Sequence, residues 1–467
     1  MNNIILTAIS DPIYYSICGL LTILVLFGIF LMSKVEKAVL GNSLSALALG
    51  LGIIITLIRY DILPVWILYP SMAVGSLIGL WIARKVKMIE MPEMVALFNG
   101  LGGAASAIVG IFAYLEIGAG VDVFNKATAL LAITIGMITL TGSLVAAGKL
   151  HKLLPQKPVL LPQHALLTTL LLVLSLIVVV LGSMPAFYND YSILFLVLSV
   201  IIPSAFGVIF TIRVGGADMP ITISLLNSFS GVAGAISGLA IEDVLLVAVG
   251  GIVGASGLLL TQIMCKAMNR KLIDILLGKT TQSPSIKAVQ EVAMSEAKSE
   301  KDPVILLREA KSVIIVPGYG MAIAQAQHLV KSLADKLTAA GVKIKYAVHP
   351  VAGRMPGHMN VLLVEAGVDY DDLCEMEEIN SEFKNVDLTI VVGANDVMNP
   401  AARELQGTPI YGMPILNVDQ CKEIIIFNYD TKPGYAGVDN PLYQEDGKVT
   451  LVLGNAYDTI GKILEKL

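Results

Sequence analysis

Charge is scarce in this chain. Only 15% of its 467 residues are Asp, Glu, Lys or Arg and 55% are apolar, against about 25% charged in an average soluble protein. A purely water-soluble protein is excluded. Cysteine is rarer still: Cys18, Cys265, Cys374 and Cys421 lie far apart with no Cys-x-x-Cys pair, so a disulfide framework or a zinc site lacks its usual spacing, and buried inert thiols are expected. No Asp, Glu, Lys, Arg or His falls in the middle of a long apolar run, and all five histidines lie at or beyond the ends of such runs. A proton path built from this chain alone would lack a titrating group at the membrane midplane, so a relay here calls for one from a partner. Ser/His/Asp, Cys/His and metal-ligand constellations are missing too, and with a net charge of −5 no nucleic-acid partner is expected.

What is present is unevenly placed. Residues 1–279 carry 15 Lys/Arg and 12 Asp/Glu, net +3, while 280–467 carry 17 and 25, net −8. The chain is two physical objects, a membrane half over 1–279 and a water-soluble half over 311–467, joined by a polar linker over 280–310 that holds Gln282-Ser283-Pro284-Ser285 and an alternating-charge run from Ser295 to Asp302.

A bilayer core about 30 Å thick takes about 20 residues of helix. Nine spans are expected, near 14–33, 39–58, 63–83, 93–114, 124–148, 164–183, 192–211, 219–240 and 244–264. The first has an acidic flank at Asp11 and no small-residue cleavage pattern, so it reads as a span and not a signal peptide. Alternate connections hold Lys34 and Lys37, then Arg84, Lys85 and Lys87, then Lys149, Lys152 and Lys157, then Arg213, then Lys266, Arg270, Lys271 and Lys279, whereas the opposite ones offer only Arg59 and Lys126. Basic residues favour the cytoplasmic side, and an odd number of spans agrees, so the N-terminus is expected outside and the C-terminal half in the cytoplasm. The pairs Gly75/Gly79, Gly234/Gly238 and Gly250/Gly254 are spaced for close helix packing. Among polar residues within spans, Ser and Thr can bond back to their own helix, but Asn99 and Asn227 carry amides that need a partner. They mark either interhelical hydrogen bonds or a hydrated path.

After the linker the period changes. Val313–Val316, Val342–Val348, Leu388–Val392, Ile424–Phe427 and Val449–Leu453 read as strands, with a helix over Met321–Ala340 after the first. Strands alternating with helices predict a Rossmann-like, doubly wound parallel sheet. The first strand runs straight into Gly318-Tyr319-Gly320-Met321-Ala322-Ile323, the GxGxxG pattern with a larger residue at its third glycine. In that strand–turn–helix setting one glycine makes the tight turn, the second admits a pyrophosphate, and the helix start offers unpaired N–H groups. The usual acid for a ribose diol at the end of the second strand is missing, since that strand ends Tyr346-Ala347-Val348-His349-Pro350. This disfavours ordinary NAD binding and leaves NADP, or an unusual pose of the nucleotide.

Longer motifs now resemble a known family, the beta subunit of the proton-translocating NAD(P) transhydrogenase. They are Gly318–Gln327, His349–Leu363 with its His-Pro-Val-Ala-Gly-Arg start, Gly393–Asp396, Asn399–Ala402, Gly434–Val438 with Asn440-Pro441, and in the membrane half Met91–Met94, Gly215–Pro220 and Leu226–Gly231. The resemblance covers nearly the whole chain. It implies NADP(H) bound by this chain and NAD(H) by a partner alpha subunit, in a dimer of alpha–beta units in a bacterial inner membrane, with direct hydride transfer that needs no protein acid or base. By motif, it implies that Gly318, Tyr319, Gly320, Met321, Ala322, Ile323 and Arg354 face the pyrophosphate, that Asp396 lies on the nicotinamide side, and that Gly434 and Tyr435 belong to a loop closing over the nucleotide. Asn99, Asp218 and Asn227 would belong to the proton path or its coupling. Two departures stand out. Asn99 stands where many members have a histidine, and Asn428-Tyr429-Asp430 stands where Lys-Arg-Ser commonly holds the 2′-phosphate, leaving Lys432 as a substitute cation beside Asp430. The competing reading from another class is a membrane transporter or channel gated by a cytoplasmic dinucleotide-sensing domain.

Overall fold

A computed structural model describes residues 9–34, 37–60, 65–86, 90–116, 122–155, 158–215, 219–267, 272, 301–353, 357–434, 436–444 and 447–467. Its contacts separate into two compact units, 1–213 with 222–261, and 214–221 with 262–467.

Among the described residues nine long helices form the first half: α1 (Asp11–Met32), α2 (Ala38–Arg59), α3 (Leu68–Lys85), α4 (Met91–Glu116), α5 (Val123–Leu150), α6 (His164–Ser183), α7 (Pro185–Ile212), α8 (Met219–Ala240) and α9 (Val244–Ala267). Among the described residues eight are long and apolar enough to cross a membrane, not the nine expected. The exception is α3, whose 18 residues include Tyr69, Pro70, Ser71, Arg84 and Lys85 and none of which is buried. Those polar and charged groups use up a helix that has no length to spare. With an even count, helix parity no longer supports termini on opposite sides, and orientation rests on the basic residues alone.

Small residues decide how the helices meet. A Cβ on Gly103 would sit 2.6 Å from the Gly136 carbonyl oxygen, and one on Gly136 would sit 2.5 Å from that of Gly103, so α4 and α5 touch backbone to backbone. Gly250 approaches the Ala235 nitrogen at 2.4 Å and Gly254 the Val232 side chain at 2.9 Å on the same reckoning, which joins α8 to α9, whereas Gly75, Gly79 and Gly234 face open space. Close packing is thus the meaning of the Gly250/Gly254 pair but not of Gly75/Gly79. Hydroxyls reinforce the contacts: Ser228 Oγ donates to Gly254 O (2.6 Å) and Ser237 Oγ to Ser106 O (3.2 Å).

The water-soluble half begins with α10 (Pro303–Glu309), capped by the Asp302 side chain accepting from the Val304 N–H. Six strands follow among the described residues, β1 (Ser312–Pro317), β2 (Lys343–Val348), β3 (Leu373–Glu375), β4 (Leu388–Val392), β5 (Glu423–Asn428) and β6 (Val449–Leu453). All pair in parallel in the order β3-β2-β1-β4-β5-β6, the doubly wound arrangement. β1, β4 and β5 are buried nearly throughout, as parallel strands covered on both faces are. The helix expected over Met321–Ala340 is divided into α11 (Tyr319–Ala324) and α12 (Gln327–Ala339), because Gln325 turns left-handed (φ 52°) and the Ala326 N–H closes back on Met321 O (3.1 Å). The remaining helices are α13 (His358–Glu365), α14 (Met376–Ile379), α15 (Ala401–Glu404) and α16 (Ala456–Lys466).

Gly136→Val places a branched side chain where only 2.5 Å separates the would-be Cβ from the Gly103 carbonyl. Overpacking of this kind costs about 1–3 kcal/mol. The detergent-solubilised variant is expected to unfold several degrees below the parent in a thermal scan, whereas Gly79→Val, in open space, unfolds with it.

Candidate functional site

Strand order reverses between β1 and β4, and in open parallel sheets ligands take the crevice beyond the carboxyl ends of the strands at that point. Three loops meet there, following β1, β4 and β5. The Gly318 N–H donates to Val392 O (2.8 Å), the Gly320 N–H to Gly393 O (2.8 Å) and the Gly393 N–H to Phe427 O (2.8 Å), so each loop is tied to the next. A Cβ on Gly318 would lie 2.3 Å from Gly393 O, and one on Gly320 2.7 Å from Gly393 Cα. Gly393 itself is left-handed (φ 66°), with its would-be Cβ 2.3 Å from the Met321 nitrogen. The close approach usually made by a third glycine of the fingerprint is made here from β4, and Ile323, at the third position, is 58% exposed. That explains why a large residue is accommodated there. Met321 and Ala322 are buried beneath the turn.

Amides and one carboxylate hold the third loop. Asp396 Oδ2 accepts from the Ala436 N–H (3.0 Å), and a Cβ on Gly434 would meet the Asp396 carboxylate at 2.6 Å. Asn395 Nδ2 donates to Lys432 O (3.1 Å), Asn440 Nδ2 to Asn395 Oδ1 (3.1 Å) and Asn399 Nδ2 to Asp439 O (3.1 Å). Asn428 Nδ2 donates to Ala394 O (3.1 Å) and to Tyr443 Oη (2.7 Å); burial raises the Tyr443 phenol well above its ordinary range, so it stays neutral. Asp430 Oδ1 accepts from the Lys432 N–H (3.1 Å), while its Oδ2 lies 3.8 Å from Lys432 Nζ, whose side chain is 80% exposed. Tyr429 projects into solvent. The structure therefore brings Gly318, Tyr319, Gly320, Met321, Ala322, Asp396, Asp430, Lys432 and Gly434 to one edge of the sheet; Arg354 and Tyr435 lie outside the described residues. The asparagine set was missed as a site from the sequence, although its members stand in the same short motifs as Asp396 and Gly434.

Three glycines floor the crevice, and any Cβ in place of them would strike the backbone of the neighbouring loop; glycines in such a turn let backbone approach a pyrophosphate, so the residues present suit a dinucleotide. One exposed cation and one half-buried carboxylate stand at its β5 end.

In the membrane half Asn99 is buried, and its Nδ2 donates to Ile223 O of α8 (3.4 Å). In an α-helix that carbonyl is also the acceptor for the N–H of residue 227. Asn99 thus reaches the turn of α8 that ends in Asn227, which is half buried. Of the two roles open to Asn99, the interhelical hydrogen bond is present. Asp218 lies outside the described residues. Sequence reasoning put Lys126, Lys149 and Arg213 in connections; the structure puts the two lysines inside α5 and buries all three.

A bundle of apolar helices followed by a doubly wound sheet with loops converging at its switch point defines a class, the membrane protein bearing a dinucleotide-type domain. The sequence profile of the NAD(P) transhydrogenase beta subunit matches residues 15–466. Two NAD(P) transhydrogenase subunit beta sequences from Rhodospirillum rubrum are each 39% identical over 465 residues, covering 97% of this chain and 98% of the relative. The chain belongs to the NAD(P) transhydrogenase beta subunit family, and that family is one of membrane oxidoreductases.

His349, just past β2, provides a test of the site's foundation. Its Nε2–H donates to Pro414 O (2.8 Å) and its Nδ1 accepts from the Val351 N–H (3.3 Å), a neutral tautomer that burial favours by pushing the imidazole down to about 4. The unfolded chain takes up this proton near pH 6.5, so stability is complete above that and falls as pH drops from 6.5 to 4. Full titration amounts to about 3 kcal/mol. Urea titrations of the 301–467 fragment are expected to show that slope, and His349→Gln to flatten it.

Proposed function

We propose that this chain exchanges a hydride between NADP(H) in its own soluble domain and NAD(H) on a partner alpha subunit, coupled to proton movement through the membrane half. The observation that carries the reading is the family match over residues 15–466, joined to the presence of a single doubly wound sheet among the described residues. Two nicotinamides need two sites, and this chain has the frame for one. Bound dinucleotide supplies the hydride chemistry, so the chain's task is to hold and orient it away from water. In this reading the Gly318–Ile323 turn and Arg354 hold the pyrophosphate, Asp396 stands on the nicotinamide side, and Gly434 and Tyr435 cover the nucleotide. The bond from the Ala436 N–H to Asp396 ties that cover to the β4 loop. Asn99, Asp218 and Asn227 serve the proton path, whose state biases the same equilibrium as nucleotide redox state; linkage then lets either gradient drive the other. In this reading the soluble domain lies in the cytoplasm of a bacterium, the side that basic connections favour. The complex is a dimer of alpha–beta units.

Purified without an alpha subunit, the chain is expected to show no hydride transfer from NADH to NADP, and adding the alpha subunit to restore it. Transfer at full rate by the isolated chain would remove the split-site reading.

The β5 loop sets nucleotide choice. Asp430 repels a 2′-phosphate, and the exposed Lys432 offsets that only partly, so NADP(H) is preferred by a narrow margin. Tyr429→Arg with Asp430→Ser supplies a charge-assisted fork for phosphate and is expected to tighten NADP(H) about tenfold or more with little change for NAD(H). Calorimetry on both proteins checks it; a parent that binds NAD(H) the more tightly overturns the cofactor assignment.

A further inference from the structure

Tyr443 carries a hydrogen-bond donor at the β5 end of the crevice that no group among the described residues uses. It stands in the short turn Pro441–Gln444, next to the fully buried Leu442, and is itself half-buried against the core that β4 and β5 share. Asn440 fixes this turn from both sides. Its Oδ1 accepts from the Leu442 N–H (3.1 Å), its carbonyl accepts from the Tyr443 N–H (3.2 Å), and its Nδ2 reaches Asn395 of the β4 loop (3.1 Å). The ring therefore has a fixed base.

The direction of the phenolic O–H follows from its neighbour. Asn428, the last residue of β5, turns its Nδ2 to Ala394 O (3.1 Å). A carbonyl oxygen can only accept, so the orientation of the amide is set, and the same Nδ2 gives its second hydrogen to Tyr443 Oη at 2.7 Å. Tyr443 thus accepts from Asn428, and its own hydrogen points elsewhere. It meets no acceptor among the described residues. Burial keeps the phenol neutral against the opposing bond from Asn428, and the charges of Asp396 and Asp430 act in the same direction as burial, so the hydrogen stays in place.

The surroundings favour one use for it. Asp430 bends Oδ1 back to the Lys432 N–H, and Lys432 Nζ stands 3.8 Å from its Oδ2 on a side chain that is mostly exposed. An anionic group entering beside β5 therefore meets one loosely held cation and one repelling carboxylate. A fixed neutral donor matters most to such a group, because hydrogen bonds to a charged acceptor are stronger than those to a neutral hydroxyl.

We propose that Tyr443 is a specificity-determining residue, its O–H donating to the 2′-phosphate of NADP(H) where Asn428-Tyr429-Asp430 offer no cation, with Asn428 as the positioning residue that keeps the O–H turned outward. This rests on the NADP(H) reading above.

The test is calorimetry on the detergent-solubilised full chain with NADPH, NADH and adenosine 2′,5′-bisphosphate, which has the phosphate and no nicotinamide. Tyr443→Phe keeps the ring and removes the donor. It is expected to weaken NADPH and the bisphosphate roughly tenfold and NADH roughly threefold or less. Asn428→Ala keeps the hydroxyl but frees it to rotate, so the preference for NADPH over NADH is expected to fall by a smaller factor. Combined with Tyr443→Phe it should lower that preference no further. A merely structural tyrosine would lower all three affinities alike. Equal losses for NADPH and NADH, an unchanged affinity for the bisphosphate, or fully additive losses of preference in the double variant overturn the proposal while leaving NADP(H) as the nucleotide bound. A parent that binds neither NADPH nor the bisphosphate overturns the cofactor assignment as well.

Discussion

The soluble domain depends on one short backbone contact, the Gly320 N–H against Gly393 O across the gap between β1 and β4. At a switch point the helices after the two strands leave on opposite faces, so the loops part and a crevice opens. Here the loops are pinned at the base of that crevice, which is possible only because Gly318, Gly320 and Gly393 all lack a Cβ. The β5 loop joins the same chain of bonds through Gly393 N–H and Phe427 O. From that floor the Asp396, Asn395, Asn399 and Asn440 side chains carry the covering segment. A displacement of any one loop is therefore felt by the other two.

The membrane half uses the same device with different elements. Where α4 meets α5 and α8 meets α9, glycines bring backbone against backbone. In lipid there is little hydrophobic drive between helices, so close van der Waals contact and interhelical hydrogen bonds carry the association. The Asn99 bond to Ile223 O belongs to this network. It attaches α4 to the α8 turn that ends in Asn227, so the two amides the family resemblance assigns to coupling share one carbonyl's neighbourhood.

Much of this was legible in the sequence, for identifiable reasons. Helix positions followed from apolar length, and five strands from short apolar runs. β3 did not, because Leu373-Cys374-Glu375 is three residues with no run to see, held in place by its register with Tyr346–Val348. The third span was overcounted because its apolar stretch was measured without the Arg84 and Lys85 that end the helix itself. At the site, the Gly318 turn was legible from spacing, but the replacement of the third glycine by Gly393 was not, being a contact between residues some 70 positions apart. Burial of Lys126, Lys149 and Arg213 escaped for a related reason. A hydropathy profile records each residue's own preference, and these three are enclosed by neighbours from other helices.

The strand order also has a consequence for how the chain is made. β1 is the central strand and leaves synthesis first, yet one of its two partners, β4, follows only after β2 and β3 have been completed. Until then one edge of Ile314-Ile315-Val316 is an unpaired row of amides and carbonyls on an apolar ribbon, the kind of edge that recruits other chains. It emerges after the membrane helices, so each nascent chain is already held at a bilayer. Anchorage at a surface keeps such edges apart during the interval in which they are most adhesive, and a soluble domain released from its helices would have to fold without that separation.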